Sequence, residues 1–192
     1  LTQHKFPARK VLSANTQKLI GKSSKKYIGV APFAAHKGKA YPFHLIKQVI
    51  NQVSNSGDFE IFLFGGGPTE ITQLDNLAGS VQGVTNIAGK LTFTQELELI
   101  SNLDVMLAMD SGNGHLAALY DIPVLTIWGV THPALGFAPF NQKANNQLLA
   151  DRIKYPLVPT SVFGNKCPDG YQGAIETITP SLVVEKILAL LQ

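Results

Sequence analysis

The chain has 192 residues, of which 45% are hydrophobic and 15% are charged, and this favours one globular domain with a full core. It contains no apolar run long enough to span a bilayer and no signal-peptide pattern. Its single cysteine, Cys167, excludes an internal disulfide and fits a reducing compartment, so we expect a cytoplasmic protein.

The net charge of +3 hides a strong asymmetry along the chain. Residues 1–57 contain ten Lys and Arg and no acidic residue, whereas the other 135 residues contain 6 basic and 13 acidic side chains. The basic third is either a solvated segment or a surface that faces an anionic partner. Nucleic acid is disfavoured as that partner, because no zinc pattern, aromatic platform or helix-turn-helix signature accompanies the charge.

Residues 1–26 predict a basic, partly helical lead-in, and residues 27–192 predict the domain itself. In the domain, short apolar runs alternate with stretches of helical spacing, which is typical of a Rossmann-like α/β fold with a parallel sheet and helices on both faces. Five nearly continuous apolar runs predict its strands: Tyr27–Ala31, Phe59–Phe64, Val84–Ile87, Asp104–Met109 and Val124–Trp128.

Helices are predicted between these strands. An apolar stripe runs from Phe43 to Val53, and a later helix follows Thr92 and Gln95, whose spacing matches a capping box. Residues 137–173 are rich in Pro and Gly and predict a loop region.

A last helix is expected to begin at Thr179-Pro180, because threonine is favoured at the cap and proline at the first helical position. Its apolar residues form two rows. We therefore expect Leu182–Leu191 to be unusually exposed or repacked in the absence of a neighbouring domain, with weak self-association as a result.

In an open parallel sheet, ligands bind beyond the carboxyl ends of the strands, so the segments after each strand are candidate sites. After the first strand, residues 32–42 combine small residues with Lys37 and Lys39. Lysine suits a phosphate group as a mobile point charge, although the same pattern also fits an ordinary basic loop.

The second candidate segment is Gly65-Gly66-Gly67-Pro68-Thr69-Glu70. It predicts a tight turn or a close approach of the backbone to a nucleotide. An NAD-type site is disfavoured, because the dinucleotide fingerprint needs glycine where Glu70 stands, and the Gly-Lys-Ser/Thr of a P-loop is absent.

The third candidate segment, Asp110-Ser111-Gly112-Asn113-Gly114-His115, connects a strand to a helix. The unpaired N–H groups and positive end of a helix predict an anion site suited to a diphosphate. The alternative is that Asp110 or Ser111 only caps the helix and that His115 is a packed histidine.

These segments, in this order, resemble the C-terminal domain of glycosyltransferase family 9, the ADP-heptose:lipopolysaccharide heptosyltransferases. The Asp-Ser-Gly-x-x-His pattern is the most specific part, and the similarity covers nearly the whole chain. Its other parts are Lys39-Ala40-Tyr41-Pro42, the turn ending in Glu70, residues 86–90, and Pro123 before the strand that follows it.

The resemblance implies a GT-B architecture, in which two Rossmann-like domains enclose a cleft and the C-terminal domain holds an ADP-sugar. It implies that Lys39 contacts the diphosphate, Glu70 the ribose and Leu91 the adenine. The residues implied at the phosphates and sugar are Asp110, Ser111, Gly112, Asn113 and His115. One departure is that Ala34 and Ala35 stand where family members often have hydroxyl residues.

The implied activity is transfer of heptose or a related sugar, with inversion, to lipopolysaccharide or another surface glycan, without metal or other cofactor. The family's general base lies in an N-terminal domain, so we expect this chain to bind donor but to be inactive alone. The expected partners are the nucleotide-sugar donor, an anionic lipopolysaccharide-type acceptor, the N-terminal domain and, peripherally, the inner face of the cytoplasmic membrane. The alternatives are a nucleotide-sugar epimerase of the same architecture and a non-enzymatic nucleotide-binding module.

Overall fold

The computed structural model describes residues 4–192, and its centre is a parallel sheet. The strands are β1 (Lys26–Ala31), β2 (Phe59–Leu63), β3 (Val84–Asn86), β4 (Val105–Met109), β5 (Val124–Trp128) and β6 (Gln147–Leu149). Their order in the sheet is β3-β2-β1-β4-β5-β6, and every neighbouring pair is parallel. The order reverses between β1 and β4, which are adjacent at the centre of the sheet.

Six helices accompany the sheet in the described residues. They are α1 (Ala14–Ile20), α2 (Phe43–Ser56), α3 (Pro68–Ala78), α4 (Phe93–Ile100), α5 (Gly112–Ala118) and α6 (Pro180–Leu190). None of those within residues 4–192 is long and apolar enough to cross a membrane.

Side chains that alternate along the strands fill two separate cores. Ile28 and Leu107 pack on the face covered by α2, α3 and α6, whereas Phe62 and Met106 pack on the face covered by α1, α4 and α5. Both faces of the sheet are therefore covered, which explains why the strands are almost continuously apolar.

The five strands predicted from the sequence are all present, with ends that differ by at most one residue. The capping box at Thr92 and Gln95 is formed, and Thr179 caps α6 with Pro180 in its first turn. Helix α3 fills a gap between strands where a helix was expected without bounds, and β6, which lies within the segment predicted as loop, was not predicted.

The basic lead-in contains α1, as its predicted partial helicity requires, and it is attached to α4 by hydrogen bonds. The Glu98 carboxylate accepts from the Ser13 backbone N–H at 2.9 Å and from the Thr16 hydroxyl at 3.0 Å. The Ser101 hydroxyl accepts from the Lys10 backbone N–H at 2.9 Å. The lead-in thus packs on the sheet's helical layer, and the division of the chain at residue 26 stays a prediction.

Part of the basic third is neutralised within the fold. Lys25 pairs with Asp58 at 2.8 Å, and Lys26 lies 3.7 Å from an Asp104 carboxylate oxygen. These lysines form ion pairs with acidic side chains of later segments, so the folded surface is less asymmetric in charge than the sequence is.

Helix α6 packs against α2 and the first of the two cores. Val183, Val184 and Ile187 are buried, and Leu188 and Leu191 are partly buried against the same core. Of the two alternatives expected for this helix, unusual exposure is wrong, because α2 and the sheet cover both of its apolar rows, whereas repacking and weak self-association stay predictions.

Candidate functional site

A cavity of about 540 Å³ opens at the carboxyl ends of β1, β2 and β4, where the strand order reverses. This is the position at which open α/β sheets bind ligands, and the volume is within the range of small-molecule sites. Seven of the eight residues predicted for the site line it: Lys39, Glu70, Asp110, Ser111, Gly112, Asn113 and His115.

An ion pair lies at the back of the cavity. Nζ of Lys39, in the short turn after β1, is 2.9 Å from Oδ2 of Asp110, directly after β4. The two side chains are only 13% and 4% exposed, respectively. Because β1 and β4 are adjacent, their carboxyl ends bring together two residues that are 71 positions apart in the sequence.

Two polar atoms of the cavity lack hydrogen bonds. Among residues 4–192, neither Oδ2 of Asp110 nor the hydroxyl oxygen of Ser111 has a hydrogen-bond partner, although both are buried. The Lys39 ammonium lies at ion-pair distance from Asp110 but is not aligned for a hydrogen bond with it. The Lys39 ammonium compensates the charge of Asp110, so within this pair of residues it is the Ser111 hydroxyl that has neither a hydrogen bond nor an ionic partner among the described residues.

Glu70 is held at the cavity by the turn that precedes α3. One of its carboxylate oxygens accepts from the Gly66 backbone N–H at 2.8 Å. A Cβ at Gly65 would lie 3.1 Å from that oxygen and 3.2 Å from the Phe33 ring, so glycine allows the close approach. The turn thus fixes a carboxylate opposite the Lys39 and Asp110 pair.

Helix α5 begins at the cavity with Gly112. Ser111 precedes it without making a side-chain capping bond, so its hydroxyl is not used to cap the helix. The space next to Gly112 is open, and His115 is exposed, so the alternative of a packed histidine is wrong. These residues present polar groups to the cavity rather than to the core.

Leu91 is the predicted site residue that does not line the cavity. It is partly buried against the core on the α4 and α5 face. Its implied role next to adenine stays a prediction.

The apolar lining of the cavity was not predicted from the sequence. Phe33, Phe64, Leu116 and Phe137 all contribute to its walls. Phe64 ends one predicted strand and Phe33 follows another, so position alone could have indicated them. Phe137 comes from a loop for which the sequence offers no comparable signal.

Comparison with known proteins decides the family. The family model described as glycosyltransferase family 9 (heptosyltransferase) matches residues 2–164. The chain belongs to this family.

Individual relatives agree with the family 9 assignment. The chain is 27% identical over 175 residues to lipopolysaccharide heptosyltransferase 2 of Salmonella typhimurium, covering 88% of this chain and 48% of that protein. The structure of ADP-heptose lipopolysaccharide heptosyltransferase II of Escherichia coli superposes with a TM-score of 0.70 at 21% identity, covering 96% and 53%. The structure of heptosyltransferase WaaC of E. coli with ADP superposes with a TM-score of 0.63 at 19% identity, covering 91% of this chain and 48% of that chain. The chain therefore spans about half the length of these family 9 proteins.

Two other structures show how widely the fold is shared. The dodecameric iron-containing glycosyltransferase TibC of enterotoxigenic E. coli has a TM-score of 0.62 at 16% identity, covering 89% of this chain and 47% of that chain. A putative UDP-N-acetylglucosamine 2-epimerase of Listeria monocytogenes has a TM-score of 0.59 at 14% identity, covering 96% of this chain and 41% of that chain. In this family 9 chain, no three or more His, Cys, Asp or Glu side chains of the described part are grouped to hold a metal ion.

The turn that positions Lys39 is anchored to the C-terminal part of this family 9 domain. The Tyr41 hydroxyl donates to the Ile178 carbonyl oxygen at 2.5 Å. Burial, together with the Glu176 charge, raises the pKa of Tyr41 to about 12, so the phenol is neutral and remains a donor at physiological pH. Tyr41 has a structural role, because its hydroxyl is used within the fold.

Proposed function

We propose that this chain is the donor-binding half of a glycosyltransferase that transfers heptose or a related sugar from an ADP-sugar, with inversion, to a lipopolysaccharide-type acceptor. The observation that supports the donor site most strongly is the buried ion pair of Lys39 and Asp110 beside Ser111, whose hydroxyl has no hydrogen-bond partner among the described residues. They lie in a cavity of about 540 Å³ at the switch point of the sheet.

The side chains that line the cavity suit different parts of the ligand, some its phosphate groups and others its hydroxyl groups. The Lys39 ammonium and the Ser111 hydroxyl can donate to phosphate oxygens. Ionised Asp110 and Glu70 can only accept, so they repel phosphate and suit hydroxyl groups of the sugar and ribose. A nucleoside diphosphate sugar offers both kinds of group next to each other.

The proposal includes a general base outside the cavity residues described above. Membership of family 9 supports this, because the resemblance implies a base on the opposite side of a two-domain cleft rather than among the residues of this cavity, His115 included. We propose that an N-terminal domain provides it and that the chain alone binds donor without transferring sugar. The acceptor, the inner-membrane contact and the cytoplasmic location are further parts of this proposal.

We also propose that donor binding needs no metal ion. Lys39 places an ammonium in the cavity that can donate to diphosphate oxygens while it remains paired with Asp110. Adding EDTA should therefore leave the affinity for ADP unchanged, and a marked loss of affinity would contradict this part of the proposal.

Calorimetry with ADP tests the donor site. Lys39→Gln removes the charge while leaving an amide that can hydrogen-bond to Asp110, and we expect it to weaken ADP binding by roughly 10- to 100-fold, as for the loss of a charged hydrogen bond. Lys37→Gln is the matched control, because Lys37 lies in the same turn, is exposed and does not line this cavity. Equal losses in the two variants would show that general charge, rather than the Lys39 site, attracts the nucleotide.

A further inference from the structure

The aliphatic stem of Lys39 lies against a segment more than 120 residues later in the sequence. A Cβ at Gly164 would overlap Cγ of Lys39 and would lie 2.9 Å from its Cε and 3.1 Å from its Cδ. Gly164 has a φ of +78°, a conformation that glycine adopts readily. The absence of a side chain at residue 164 therefore makes room for the Lys39 stem.

Hydrogen bonds hold this glycine in place. The Gly164 backbone N–H donates to the buried Ser161 hydroxyl at 2.9 Å, and the same hydroxyl accepts from the Lys166 N–H at 3.3 Å. The Thr160 N–H donates to the Val130 carbonyl oxygen at 3.0 Å. We call residues 160–166 the Gly164 turn.

The Gly164 turn is also linked to the turn that contains Lys39. The Val130 N–H donates to the Gly38 carbonyl oxygen at 2.9 Å, and a Cβ at Gly38 would lie 2.6 Å from the Gly164 carbonyl oxygen. The residue before Lys39 is thus in close contact with both the segment that follows β5 and the Gly164 turn.

An aromatic ring completes the surroundings of Lys39. Its Nζ lies 5.8 Å from the centroid of the Phe137 ring, and that ring packs edge-on against Phe163, which is part of the Gly164 turn. The lysine side chain therefore has glycine against its stem, an aromatic ring near its ammonium and Asp110 at its tip.

We propose that Gly164, fixed by Ser161, is a positioning residue that holds Lys39 ready for the diphosphate of the donor. This inference rests on the proposed function. A lysine has four rotatable bonds and loses much of its freedom when it binds a phosphate group. A stem that is already held in the free protein loses less on binding, so affinity increases through preorganisation.

The test compares Gly164→Ala with Gly170→Ala by calorimetry on the 192-residue chain. Gly170 also has a positive φ, +81°, but its Cβ position is open, so this control introduces the same backbone strain without touching Lys39. We expect Gly164→Ala to weaken ADP binding roughly tenfold, equivalent to one misplaced charged contact, and Gly170→Ala to leave it unchanged.

Adenosine as a second ligand separates positioning of Lys39 from general damage. It lacks the diphosphate, so Gly164→Ala should leave its affinity unchanged. In a Lys39→Gln background, Gly164→Ala should have no further effect on ADP affinity, because the ammonium that it positions is gone. Either of two results would overturn the inference. One is an equal loss of affinity for adenosine and ADP in Gly164→Ala, and the other is a loss of ADP affinity in the Lys39→Gln background as large as in the unmodified chain.

Ser161→Ala provides a second variant if Gly164→Ala does not fold. It removes the hydroxyl that holds the turn without adding an atom near Lys39, and it should weaken ADP binding but not adenosine binding. ADP affinity equal to that of the unmodified chain would overturn the inference. If Lys39→Gln binds ADP as tightly as the unmodified chain does, the proposed function fails. If Lys39→Gln loses ADP affinity but Gly164→Ala and Ser161→Ala do not, only the positioning role is contradicted.

Discussion

Two carboxylates of this molecule have opposite surroundings. Glu98 accepts hydrogen bonds from Ser13 and Thr16, and the Ser13 backbone N–H is the main cause of a lowered Glu98 pKa. Asp110 is buried at the cavity, yet its Oδ2 has no hydrogen-bond partner within residues 4–192. The Glu98 carboxylate is thus stabilised by hydrogen bonds from neutral donors, whereas the Asp110 carboxylate depends on the charge of Lys39, which lies 2.9 Å from its Oδ2.

The largest effect is expected from breaking the buried ion pair. Lys39→Met leaves the Asp110 carboxylate buried without its counter-charge, and urea denaturation should show a loss of about 3–5 kcal/mol in the free energy of unfolding. Adding Asp110→Asn should recover much of this loss, because the uncompensated charge disappears.

Lys90→Met is the control for that experiment. Lys90 pairs with Asp75 at 2.8 Å, but both side chains are more than 40% exposed, so the loss should stay below about 1 kcal/mol. Similar losses in the two lysine variants would show that Asp110 does not depend on Lys39 for its stability in the fold.

We expect effects of intermediate size from substituting two serines: Ser101, which is hydrogen-bonded to the lead-in, and Ser111, which lines the cavity. The buried Ser101 hydroxyl accepts from Lys10 and donates to the Glu98 carbonyl oxygen, so Ser101→Ala should lower the free energy of unfolding by about 1–2 kcal/mol and leave ADP affinity unchanged. Ser111→Ala removes an unsatisfied hydroxyl and should weaken ADP binding without destabilising the protein. Denaturation and calorimetry on both variants check this, and a destabilised Ser111→Ala would contradict the claim that its hydroxyl is free for a ligand.

The smallest expected effect is a pH dependence of the stability that comes from Glu98. Because the folded Glu98 pKa is lowered, its stabilising contribution is fully present above the ordinary glutamate pKa of about 4.3 and is lost as the pH falls through the lowered value. Glu98→Gln should be less stable than the unmodified chain at pH 7, and the difference should narrow on acidification. Denaturation curves at several pH values measure this, and a constant difference would exclude Glu98 as the titrating group.

The sequence could predict elements whose signals are local. The apolar runs indicate strands β1 to β5, and Thr92 with Gln95 identifies the start of α4. Helix α3 was expected only as a connection between two strands, although Pro68 at its start and the spacing of Ile71, Leu74 and Leu77 are helical signals. Strand β6 has three residues, as β3 has, but it lies within a segment whose Pro and Gly predict a loop.

The candidate site was predictable to the extent that topology places it. Lys39 and Asp110 follow strands that a Rossmann-like order makes neighbours, so their proximity could be expected. The contact of Gly164 with the Lys39 stem could not, because it depends on the path of a loop that has no periodic pattern. The lead-in's attachment through Glu98 was equally hidden, since a single acidic residue on a helix indicates no particular partner.

The Tyr41 to Ile178 hydrogen bond has a consequence for the order in which the protein is made. It joins residues 137 positions apart, and the ribosome synthesises the chain from its N-terminus. When β1 to β5 have all emerged, the turn with Lys39 still lacks Gly164 and this tyrosine bond. A nascent chain can therefore assemble β1 to β5, yet the surroundings of Lys39 in the cavity are completed only after residues 164 and 178 have been synthesised.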